Sequence, residues 1–152
     1  LLMTKSTIAA EKGITLSIDD SSTVEADGTT DVVTVLGILT DNAMEAVAGS
    51  GRADGHVVVH LETSADAVRI TVSDDGPGIA PEDVDGIFSS GYSTKDGGRS
   101  GTRGFGLALV DRIARRRSGH VVVDDSELGG AEFTVWLAPS LVEAPRSTLQ
   151  VP

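Results

Sequence analysis

The sequence predicts a two-layer α+β sandwich, one mixed sheet with helices packed on one of its faces. Three observations carry this. Apolar residues alternate with polar ones in several short runs, Ile14, Leu16 and Ile18 being the first. Two longer segments, 31–48 and 107–117, repeat apolar residues at helical spacing instead. Two of the alternating runs stand only a short turn apart, at residues 63–66, which suits an antiparallel hairpin.

Each element has its own local reason. Residues 1–12 read as a helix, with Leu1, Leu2, Ile8 and Ala9 apolar and Gly13 placed to end it. A half-buried strand follows at 14–18, then a polar connection over 20–30. The helix at 31–48 carries Val32, Val35, Leu36, Leu39, Ala43, Ala46 and Val47, and Gly49-Ser50-Gly51 stops it. Val57, Val59 and Leu61 line one face of the next strand, and Val68, Ile70 and Val72 one face of its partner. Residues 76–104 read as a long, glycine-rich loop with a short apolar patch at Ile87-Phe88, and loops of that length in compact domains are typically functional or disordered. The helix at 107–117 ends on Arg115-Arg116-Arg117, where cations suit the helix dipole. Strands at 120–124 and 132–138 flank Gly129-Gly130, and the proline-containing tail from 139 is expected to fray.

Composition narrows the function. The chain has 152 residues, 39% of them hydrophobic, enough for one domain with one core. Its net charge of −11 opposes a nucleic-acid partner, because polyanions need basic surfaces. There is no cysteine, which excludes disulfides and thiolate metal sites. No apolar run approaches the roughly 20 residues of a membrane span. The chain opens on Leu1-Leu2 without Met, so it is expected to be a piece of something longer.

Four segments bear chemistry. Asn42 lies inside the strongest helix, where asparagine is a poor helix former; its amide oxygen suits Mg²⁺, although a solvent-facing or capping role fits the spacing equally. Asp75 precedes Gly76-Pro77-Gly78. A carboxylate there can accept from the exocyclic amine of a base, and glycines let a ligand approach the backbone; the same residues also make a common turn. Gly104-Phe105-Gly106 opens a helix whose unpaired amides favour phosphate, though glycines also open helices for packing reasons. Lys95 and Arg103 lie in the long loop, where a basic side chain can close over phosphates or simply face water. His56, His60 and His120 are scattered, with spacing unsuited to a metal site or a nucleophilic triad.

Taken in order, these segments resemble the sensor histidine kinases. Residues Leu36-Gly37-Ile38-Leu39-Thr40-Asp41-Asn42-Ala43-Met44-Glu45-Ala46 look like their asparagine box. Asp74-Asp75-Gly76-Pro77-Gly78-Ile79 resembles the first glycine box. Ile87-Phe88-Ser89-Ser90-Gly91-Tyr92-Ser93-Thr94-Lys95 is similar to the phenylalanine box, and Arg103-Gly104-Phe105-Gly106-Leu107-Ala108-Leu109-Val110 to the second glycine box. The Ser-Thr-Lys ending, and Leu2-Met3-Thr4-Lys5 leading to Glu11-Lys12-Gly13-Ile14, look most like the citrate and C4-dicarboxylate sensor kinases.

The resemblance implies a Bergerat-type ATP-binding fold, a mostly antiparallel sheet with a long ATP lid over residues 80–103. It implies that Asn42 holds Mg²⁺ against the phosphates and that Asp75 binds the adenine amine. Gly76 and Gly78 would shape the adenine pocket, with Ile79 against the ring and Ala46 among the nucleotide contacts. Thr94, Lys95 and Arg103 would lie near the phosphates, Lys95 with Asn42 as the catalytic pair. Gly104, Phe105, Gly106 and Leu107 would present amides to the phosphates. Residues 1–12 would end a dimerisation-domain helix, 13–139 would form the catalytic domain, and 140–152 a flexible tail. The implied partners are the dimerisation and phosphoacceptor domain of the same kinase and a downstream response regulator, with this piece monomeric and cytoplasmic and its parent anchored in the cell membrane.

Two departures stand out. Four residues before Asn42 the family often has asparagine or an acid, and its ATP-hydrolysing relatives a glutamate; here the residue is Ile38, which cannot act as a base. No histidine sits on an apolar helix ahead of an acid, so the phosphoacceptor is expected elsewhere. A serine kinase of the anti-sigma-factor type and a non-catalytic nucleotide-binding module are the alternatives.

Overall fold

The computed structural model describes residues 1–23, 30–89 and 106–138. The elements are α1 (Leu2–Glu11), β1 (Ile14–Ile18), α2 (Thr30–Gly49), β2 (Gly55–Thr63), β3 (Val68–Asp74), α3 (Gly106–Arg116), β4 (His120–Asp125) and β5 (Ala131–Leu137). One element lies within the stretch read as loop, a short 3-10 helix at Pro81–Asp83. Proline at its start is favourable, since its missing N–H would be unpaired there anyway.

The five strands run in the order β1-β2-β3-β5-β4. The β1–β2 pair is parallel and the other three are antiparallel, so the sheet is mixed as expected. Register follows the alternation. Val57, Val59, Ile70, Val72, Phe133 and Val135 all face inward and are buried. Against them α2 lays Val35, Leu36, Leu39, Ala43, Met44 and Val47, and α3 adds Val110, Ile113 and Ala114. Ala9 of α1 is fully buried in the same core. The opposite face is polar, with Thr71 donating to Thr134 and Ser73 to Glu132 across β3 and β5.

The structure corrects one reading of composition. By length and apolarity α2 could cross a membrane. Its apolar side instead lies on the sheet, with seven of its residues buried. Its start is tied to the end of α3: Arg116 and Arg117 both donate to the Asp31 carboxylate, at 2.7 and 3.1 Å. Arg117 also donates twice to the Ala138 carbonyl, at 3.2 and 2.6 Å. Arg116 and Arg117 therefore bind across the helix layer, while Arg115 pairs with Asp111 one turn back on α3 at 2.9 Å.

Candidate nucleotide site

β3 carries its inward stripe of Val68, Ile70 and Val72 one step further, to Asp74. An acid thus stands at the end of a buried apolar row, only 2% exposed. Its Oδ1 accepts from the backbone N–H of Gly76 at 2.9 Å and of Ala131 at 3.2 Å. Burial pushes the carboxyl up from its ordinary value; the two N–H groups oppose this, and the charge of neighbouring Asp75 adds to it. Gly76 fits tightly between Asp74 and α2. A Cβ added there would lie 3.0 Å from Asp74 Oδ1 and 3.2 and 3.3 Å from the backbone carbon and Cβ of Ala46. Asp74, Gly76 and Ala46 therefore form one corner.

Asp75, expected from the motif to face a base, points away from this corner. Its Oδ1 accepts from the His56 backbone N–H at 2.9 Å, and its Oδ2 lies 3.2 Å from Arg52 and 3.3 Å from the His56 ring. Burial pushes this carboxyl up, but the hydrogen bonds from His56 and the charges of Arg52 and His56 outweigh it and hold the group below its ordinary value. A carboxylate so occupied has little acceptor capacity left for a ligand. Period-two alternation already separates the two acids: counting from Val72, residue 74 faces the helix layer and residue 75 does not.

The other wall is α2. Ile38, Asn42 and Ala46 recur every fourth residue and so share one stripe, about 12 Å long at 1.5 Å per residue. Ala46 ends it at Gly76. Ile38 ends it at α3, where a Cβ added to Gly106 would lie 3.0 Å from Ile38 Cγ2. Between them Asn42 is half-buried and makes no amide hydrogen bond to another described residue. Its neighbour Asp41 is engaged by Lys5 of α1 at 2.5 Å. The first residues of α3 have backbone N–H groups with no partner inside the helix. Ile79 and Leu107 are half-buried against the core.

Gly78 adopts φ +73°, and a Cβ there would lie 3.7 Å from the Gly130 carbonyl oxygen. Gly130, which none of the motifs includes, closes on the same corner. Its N–H donates to the Asp74 main-chain carbonyl at 3.1 Å. In the sequence it stands only between two strands, and nothing local links it to a segment more than fifty residues earlier. Thr94, Lys95, Arg103, Gly104 and Phe105 lie outside the described residues, as does most of the segment read as a lid. The described part of that segment is anchored: Ile87 is buried and Phe88 meets Phe133 edge-on at 6.4 Å.

Among the described residues there is no cluster of three or more His, Cys, Asp or Glu able to hold a metal. One amide oxygen at Asn42 suits an ion that keeps waters and borrows phosphate oxygens, as Mg²⁺ does, and does not suit an all-protein metal cage. The corner, the stripe and the helix start follow one another along one side of α2, with the buried acid at one end and the first backbone N–H groups of α3 at the other.

The profile of the HATPase_c family, described as histidine kinase-, DNA gyrase B- and HSP90-like ATPase, matches residues 27–141. The sensor protein CitS of Halalkalibacterium halodurans is 35% identical over 139 residues, which covers 89% of this chain and 25% of that protein. The sensor histidine kinase DcuS of Escherichia coli is 35% identical over 127 residues, 81% of this chain and 22% of its own length. The chain thus spans about a quarter of the length of these curated relatives. Among solved structures, full-length ShkA in complex with AMPPNP superposes with a TM-score of 0.69 at 28% identity, covering 91% of this chain and 29% of that one. The catalytic domain of histidine kinase ThkA gives 0.67 at 24% identity, covering 91% and 89%, and supports the fold alone.

Proposed function

Because this chain belongs to the family of histidine kinase-, DNA gyrase B- and HSP90-like ATPases, we propose that it is the ATP-binding catalytic domain of a two-component sensor kinase, passing the γ-phosphoryl of Mg-ATP to a histidine on a separate dimerisation domain. The observation that carries this is the α2 stripe: Ala46 abuts the Asp74–Gly76 corner, Ile38 abuts the start of α3, and Asn42 stands between.

The roles follow from that order. Asp74, in place of Asp75, accepts from the exocyclic amine of adenine, with Gly76 and Gly78 forming the pocket and Ile79 against the ring. Asn42 gives an amide oxygen to Mg²⁺, which offsets phosphate charge. Amides at Gly104, Phe105, Gly106 and Leu107 meet the phosphates, with Thr94, Lys95 and Arg103 closing over them. Ile38 offers no base to activate water, which favours transfer over hydrolysis. Phosphoryl transfer needs mainly positioning and charge stabilisation, the two tasks these roles divide among them. α1 continues the dimerisation helix, a response regulator receives the phosphoryl group, and the domain works on the cytoplasmic side of a membrane-anchored parent.

The named relatives are sensor kinases, so neither a serine kinase nor a non-catalytic module is favoured. Labelled ATP with a matched dimerisation domain tests the proposal. Label on histidine, with slow ADP release by the chain alone, supports it. Label on serine, or fast hydrolysis by the chain alone, overturns it.

A further inference from the structure

Asp75 is left without a ligand to bind, yet it is 5% exposed and heavily engaged. Its place in the sheet explains the engagement. β2 and β3 pair antiparallel, with Val57 opposite Asp74. The next pair would be His56 and Asp75. Half of that pair forms, since the Asp75 N–H donates to the His56 carbonyl at 3.2 Å. In a regular hydrogen-bonded pair the two residues exchange both bonds, so the His56 N–H should return to the Asp75 main-chain carbonyl. It donates instead to the Asp75 side chain, at 2.9 Å. The carboxylate stands in for the residue's own carbonyl.

That substitution releases the chain from the ladder. With its carbonyl freed, the backbone turns at once into Gly76, whose N–H then reaches Asp74 Oδ1. Arg52, from the α2–β2 connection, and the His56 ring hold the other oxygen of Asp75. Were His56 to bond the main chain, the strand would run on past Asp74 and the corner against Ala46 would not form.

We propose that Asp75 is a positioning residue for the nucleotide site: its side chain ends the β2–β3 ladder and so sets the turn that aims Asp74. This rests on the reading of Asp74 as the adenine acceptor. What is required of residue 75 is a short side chain whose oxygen accepts from an N–H, and an amide oxygen meets that requirement as well as a carboxylate does.

Binding of a fluorescent ATP analogue to the whole chain tests this, with Asp74→Ala, Asp75→Asn and Asp75→Ala compared. Asp75→Asn should bind within about twofold of the parent. Asp75→Ala should lose about tenfold or more, the scale of one hydrogen bond to a charged group, and should shift the amide resonances of both Gly76 and Ala131. Equal binding by all three residue-75 forms, or an asparagine variant as weak as the alanine one, overturns the inference. Normal binding by Asp74→Ala overturns the underlying site reading instead. Should Asp75→Ala fail to fold, the parent protein decides: a scalar coupling across the hydrogen bond must run from the His56 amide nitrogen to the Asp75 side-chain carboxyl carbon. A coupling to the Asp75 main-chain carbonyl carbon overturns the proposal.

Discussion

Gly130 and Asp74 touch with no room between them: the Gly130 N–H donates to the Asp74 carbonyl at 3.1 Å, and a Cβ on Gly130 would lie 2.2 Å from Asp74 Oδ1. The β4–β5 turn therefore packs directly on the Asp74 corner. Gly130→Ala must push Asp74 aside or open the β3–β5 contact. It is expected to cost about 1–3 kcal/mol in stability, the usual scale of overpacking, and to weaken nucleotide binding in the same protein. Thermal unfolding and nucleotide titration check both, and an unchanged affinity would remove Gly130 from the site.

The two adjacent acids should respond to pH with opposite sign. Asp74 titrates above its ordinary value of 3.8 in the folded state. The folded state therefore favours its proton, and stability falls as pH rises from 3.8 through the folded value. Asp75 titrates below 3.8 when folded, so its contribution is present above that value and is lost as pH falls through the depressed one. Asp74→Asn should flatten the loss on the alkaline side of 3.8 without lowering stability at neutral pH, and should weaken adenine recognition, because its one oxygen is taken by the Gly76 and Ala131 N–H groups and its NH2 cannot accept. Asp75→Asn should flatten the acid-side loss. Urea unfolding against pH on the two variants separates them.

Asn42→Ala removes one amide oxygen from the α2 stripe without disturbing the core, because the residue is half-buried and alanine favours helix. Nucleotide affinity in Mg²⁺ should drop about tenfold or more, while affinity in chelator stays nearly unchanged. An equal loss with and without the metal would point to a direct nucleotide contact in its place.

Thr40 is fully buried, and its Oγ1 has no hydrogen-bond partner among the described residues. Thr40→Val replaces the hydroxyl with a methyl of similar size. The domain should gain about 1 kcal/mol, since a buried polar group without a partner costs roughly that or more. A lower unfolding temperature would reveal a partner for the hydroxyl.

Arg116 and Arg117 share Asp31 but differ in exposure, 63% against 12% for the side chains. Arg117→Ala also strands the Ala138 carbonyl, so it should cost about 1–3 kcal/mol. Arg116→Ala removes a screened surface pair and should cost less than about 1 kcal/mol. Equal losses would mean the burial difference has no energetic weight.

How far the site could be read in advance varied by residue. Asn42 and Ala46 were placed by their box and do share a face, because i, i+4 spacing on a helix is a local property. For the acid, the residue the motif singles out and the residue that faces the helix layer differ by one position. The dipeptide Asp74-Asp75 followed by Gly76 drew attention to the residue beside the glycine, whereas strand alternation assigns the inward direction to Asp74. That signal was in the sequence. Gly130 had none, since its meaning depends on β5 lying beside β3.

By itself the sequence determined the order and type of the elements, the side of each that would be buried, and the acidic, cysteine-free surface. Periodicity reports these because it records which direction each side chain takes from its own backbone. Only the tertiary structure decided that Asp75 is captured by His56 and Arg52, and which distant turn closes over Asp74. Those outcomes depend on strand order and on where a ladder stops, and both are settled by hydrogen bonds between segments far apart in the chain.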